Sequence, residues 1–89
     1  MSSFYDGMSV AEAEQVQGLT RLMLELRENR KKLLAQYAAD DEAGLLQKIT
    51  AGEVAEHPAY EHYLGAKLLS DAGEKIREDL KNFLREASA

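Results

Sequence analysis

At 89 residues and 9.9 kDa the chain is one domain on the usual scale of roughly 100–200 residues each, and 45% hydrophobic with 30% charged residues is the balance of a folded, soluble chain. The absence of cysteine excludes disulfides, thiolate metal clusters and thiol nucleophiles. A net charge of −5 argues against an extended nucleic-acid-binding surface, which needs a basic face to release counterions.

Residues 1–8 read as a flexible N-terminal tail and residues 9–89 as a single helical domain. The start Met-Ser-Ser-Phe-Tyr-Asp-Gly has neither the basic region nor the apolar run of a signal peptide. No stretch approaches the roughly 18 apolar residues of a membrane span, so a cytoplasmic location without membrane contact is the expectation. Phe4 and Tyr5 put two aromatics ahead of the first helix, either folded back on it or exposed as a recognition peptide.

Ser9 with Glu12 is a capping box, in which each side chain satisfies a backbone N–H at a helix start. From there Val16, Leu19, Met23, Leu26, Leu33 and Tyr37 recur at spacings of three and four, with Arg30 interrupting, so a coiled-coil-like seam should run to about Ala39. Leu22 and Leu34 flank it. Asp40 and Asp41 are alternative N-caps for a short second helix carrying Leu45, Leu46 and Ile49 and ended by Gly52. Glu53 to Pro58 reads as a linker, because Pro58 drives His57 toward extended geometry and suits the first turn of a helix.

The last helix should run from about Pro58 to Glu86 with Ala66, Leu69, Gly73, Ile76, Leu80 and Phe83 on its seam and Leu68, Ala72 and Leu84 beside it. An internal cap by Asp71 and Glu74 would instead divide it near Ser70. The expected fold is therefore all-α: an elongated hairpin of two long helices with a short connecting helix. Each long helix would be roughly 45 Å, far beyond a compact chain with a radius of gyration near 12 Å. A hairpin one seam thick leaves apolar surface uncovered, which a second copy or a partner helix would close into a bundle.

The polar constellations are weak as chemistry. Glu53, Glu56, His57, Glu61 and His62 include metal-ligand types, but the two histidines are five apart across a proline and neither has a Glu three residues before it. A solvated linker with His57 as a local cap is the simpler reading. The serines lie at the termini, at a cap or at Ser70, none in a nucleophile turn, and no phosphate-binding glycine loop is present. No catalytic, cofactor-binding or metal-binding residue is expected. Arg30 should lay its stem on the seam and turn its guanidinium toward solvent or an acidic neighbour such as Asp79, or else set register or partner number. Arg27, Arg30, Lys31 and Lys32 form a basic cluster, partly neutralised by Glu28 facing Lys32.

What remains is a non-enzymatic protein–protein interaction module, an adaptor, co-chaperone or regulatory subunit acting through its apolar seams. Small bacterial regulators and secretion chaperones share the helical-hairpin shape, an analogy of fold alone. The residues expected at contacts are Leu19, Met23, Leu26 and Arg30 on the first helix and Tyr60, Tyr63, Leu69, Ile76 and Phe83 on the last. The partner is the chain itself, another protein, or both. The alternatives are a nucleic-acid-linked regulator using the cluster from Arg27 to Lys32, and metal binding at His57 and His62.

Overall fold

The first helix opens on the capping box expected for it. Ser9 Oγ accepts from the Glu12 N–H at 3.1 Å, and Glu12 Oε1 accepts from the Ser9 N–H at 3.0 Å. In the computed structural model, which describes residues 7–88, three helices follow: α1 (Val10–Ala35), α2 (Glu42–Thr50) and α3 (Glu56–Ser88). The described residues contain no strand. Most of the expected tail, Phe4 and Tyr5 included, lies outside them.

α1 ends at Ala35 rather than near Ala39. The Ala39 N–H donates five residues back to the Leu34 carbonyl and the Ala38 N–H three residues back to Ala35, both at 3.1 Å, while Ala38 takes a positive φ of 53°. This is the hydrogen-bond pattern of a Schellman cap, normally built on glycine. α2 closes in the same way: the Glu53 N–H reaches the Lys48 carbonyl at 2.9 Å and the Gly52 N–H the Ile49 carbonyl at 3.1 Å, with Gly52 at φ 75°. Of the two candidate N-caps, Asp41 serves α2, its Oδ1 accepting from the Gly44 N–H at 2.7 Å.

Pro58 acts on its predecessor as expected. His57 is extended, at φ −105° and ψ 128°, so the regular part of α3 begins at the proline. From there α3 is unbroken through Ser70 and Gly73, without the internal cap at Asp71.

α1 and α3 pack antiparallel as a rod of 54 × 19 × 18 Å with a radius of gyration of 17.4 Å. Its surface of 6452 Å² exceeds the about 5,200 Å² of a compact chain of this mass. α2 folds onto the closed end, where Leu34, Leu45 and Ala66 form a buried cluster joined by Leu33, Tyr37, Ala39, Ile49 and Tyr63. Along the rest of the hairpin the seam is mostly half covered, Val16 at 6% exposure being the exception. Leu26 and Ile76, placed by their spacing at the centre of the two helices, are partly exposed, because one helix against one helix shields only a single side. Leu34, expected as a flank, is 1% exposed, whereas its seam neighbour Leu33 is only half-buried, since α2 docks on the Leu34 side.

Candidate functional site

Where each seam residue lies follows from about 100° of rotation per residue. On α1 the line through Leu19, Met23, Leu26 and Arg30 points at α3. Turning one way from it leads to Val16, Thr20, Arg27 and Leu34; turning the other way leads to Leu22, Asn29 and Leu33. The Leu34 side is the side of α2. It also carries a groove of about 490 Å³ in which Arg27, Arg30 and Arg77 lie with Ser70 and Glu74.

The opposite side has no cover among the described residues. Gly65 faces Leu33 there, a Cβ at that glycine falling 3.5 Å from Leu33 Cδ1. From this point Leu33, Leu26 and Leu22 of α1 run beside Leu69, Ala72, Ile76 and Phe83 of α3 as one apolar face. Leu22 is 43% exposed on it, whereas Leu68, 70% exposed, lies further round on the outside of α3, about 160° from the buried Ala66. Leu22 and Leu68 were read in the sequence only as flanks. The signal that marks Leu68 is the four-residue spacing Tyr60, Leu64, Leu68, Ala72, Ile76, a ridge that winds from the outside of α3 onto this face.

Six of the expected contact residues, Leu19, Met23, Leu26, Leu69, Ile76 and Phe83, lie half-buried along the α1–α3 seam. The two tyrosines sit apart from them at the closed end. Tyr63 packs on the buried cluster, and the exposed Tyr60 stacks on it with ring centroids 5.9 Å apart and planes at 21°.

Arg30 reaches a different acid from the one expected. Its Nε donates to Glu42 Oε2 at 2.7 Å and its Nη2 to Oε1 at 2.5 Å, a bidentate pair that ties α1 to the first turn of α2. Asp79 is out of reach, because antiparallel packing sets Arg30 level with Ser70, about nine residues or ~13 Å of helix away. Asp79 accepts instead from Lys75 Nζ at 3.2 Å. The hydrogen bond from Arg30 is the main reason that the Glu42 carboxyl is held below the usual carboxylate range, partial burial working against it. The same bond raises the Arg30 guanidinium further.

The pair also withdraws Arg30 from the basic cluster. Glu28 neutralises Lys31, at 4.0 Å, rather than Lys32. The two histidines take separate partners. His57 Nδ1 lies 2.6 Å from Glu61 Oε1, so the ring pairs with a side chain in place of the expected local cap, and His62 Nδ1 hydrogen-bonds the Tyr37 hydroxyl across the hairpin. The Glu61 carboxyl is lowered by its own backbone N–H first and by His57 second. The described residues hold no group of three or more His, Cys, Asp or Glu positioned for one metal ion, and no described helix is long and apolar enough to cross a membrane.

Residues 9–88 match the family described as "Uncharacterized protein MJ0235 family", and the chain belongs to it. No curated protein and no solved structure matches the chain significantly.

Proposed function

We propose that this member of the family is a non-enzymatic protein–protein interaction module whose working surface is the open apolar face of the hairpin. The observation that carries the reading is the face itself. Leu22 is 43% exposed, beside half-buried Leu26, Leu69, Ile76 and Phe83 on two helices that no third layer covers on this side among the described residues. A contiguous apolar patch of this kind marks a contact surface, because leaving it in water costs about 25 cal/mol per Å². The opposite side and the closed end supply rigidity: α2, the Arg30–Glu42 pair and the buried cluster fix how the two long helices present the face.

The groove between the helices is open, and two of its arginines are already engaged, Arg30 with Glu42 of α2 and Arg77 with Glu74 at 3.7 Å. That arrangement suits an adaptor or regulatory subunit better than a substrate pocket. The test compares the tagged chain with its Leu22→Glu variant in host extract, helix content being checked by circular dichroism. The wild type should retain a stoichiometric protein, itself or another, that the variant loses. Identical retention by both would overturn the reading.

A further inference from the structure

The occupant of the open face can be named, on the assumption that this face is a contact surface. We propose that it is covered by a second copy of the same chain, packed face to face about a two-fold axis. The axis crosses the rod at the level of Leu22 and Ile76, so the closed ends of the two hairpins point in opposite directions and the product is a four-helix bundle.

Length argues for that level. α1 spans Val10–Ala35, so its midpoint falls between Leu22 and Met23, and an antiparallel pairing there overlaps the helix from end to end. The overlap is about 39 Å long by the width of the rod, roughly 700 Å² in plan, which approaches the about 800 Å² per partner of a standard interface. α2 does not obstruct it, being docked on the other side.

Charge independently selects a level within one residue of it, centred on Met23 of α1 and Arg77 of α3. The outer edge of the face on α1 carries Glu14, Arg21, Glu25 and Lys32, none of which forms an ion pair among the described residues. About the proposed axis Glu14 meets Lys32 of the second copy and Arg21 meets its Glu25. On α3 the same register brings Lys75 to Asp79 of the second copy. Those two residues now form an exposed in-chain pair at 3.2 Å, which in water is worth little and is readily exchanged. The other two-fold arrangement, with closed ends together, sets α1 over α3; it pairs Arg21 with Asp79 and Glu25 with Lys75, but it also sets Glu14 against Glu86, a like-charge contact that the first avoids, and leaves Lys32 without an acid.

Shape agrees as well. In the proposed register Leu22 and Ile76 each pack on themselves across the axis, and Phe83 falls opposite Ala72, large against small.

The chain has no cysteine, so Leu22→Cys introduces a single thiol next to the axis. The full chain should run at about 20 kDa by light scattering at about 100 μM, and oxidation of Leu22→Cys should give a covalent dimer. Arg21→Glu should raise Kd about tenfold, because each reversal acts at two symmetric contacts, and Arg21→Glu/Glu25→Arg should restore it. A monomer at that concentration overturns the proposal. So does a dimer that Leu22→Cys fails to cross-link and that the charge swap fails to restore. If the monomer still retains a different host protein that Leu22→Glu loses, the second copy is discarded and the interaction reading stands.

Discussion

Leu45 and Leu46 are adjacent in α2 and differ in what they touch, which makes them a sharp test of how the closed end is built. Leu45 is 0% exposed within the cluster of Leu34 and Ala66, whereas Leu46 is 38% exposed on the outer side of the helix. Leu45→Ala removes three buried carbons, about 2.4 kcal/mol at ~0.8 kcal/mol each, and adds the cost of a cavity between elements that only partly collapse. A loss near 3 kcal/mol is expected. Leu46→Ala makes the same chemical change with about the same effect on helix propensity, and should cost under about 1 kcal/mol. Against a total of about 4–13 kcal/mol for a chain of this length, the first is a large share. With an m-value near 1 kcal/mol/M, it should lower the urea midpoint, followed by circular dichroism, by roughly 2–3 M. Equal midpoint shifts for the two variants would show that α2 is not docked through Leu45.

Ala38→Gly should stabilise the protein by about 1 kcal/mol in the same assay, since alanine at φ 53° bears a steric penalty that glycine does not; Gly52→Ala, at φ 75°, should destabilise it by a similar amount. Because the Glu42 carboxyl is depressed in the folded state, its contribution to stability is complete above the unfolded value near 4.3 and is lost as pH falls through the folded one. The difference in stability between wild type and Glu42→Gln should therefore shrink below about pH 4.3, and a difference independent of pH would remove the ion pair as its cause. Ser9→Ala should cost about 1 kcal/mol and melt the first turn of α1, which amide exchange at Glu12 would report. Leu26→Ala, half-exposed in a single hairpin, should destabilise more strongly as protein concentration rises if the open face is covered by association, and equally at all concentrations if it is not.

Everything the sequence determined by itself is local. The capping box at Ser9 and Glu12, an aspartate cap at Asp40 or Asp41, the Gly52 stop and the extended His57 before Pro58 each involve groups within five residues of one another, so residue identity and spacing suffice to specify them. The three-and-four spacing likewise defined two long helices and the stripe each would bury, and hence the rod. Tertiary structure decided what depended on the third element. Ala38 carries no sign of a left-handed residue; it takes that conformation because the chain must turn there to carry α2 back onto the hairpin. Arg30 reaches Glu42 and not Asp79 because the antiparallel register, which spacing alone does not define, puts α2 within range and Asp79 some turns away. Leu34 is buried and Leu22 exposed, though each flanks the seam in the same way, because α2 covers one side of the closed end, where Leu34 lies, and Leu22 is on the other side and twelve residues away. The candidate surface is the other side: periodicity establishes that an apolar stripe is too wide for one partner helix, and only the docking of α2 establishes which edge of it is left open.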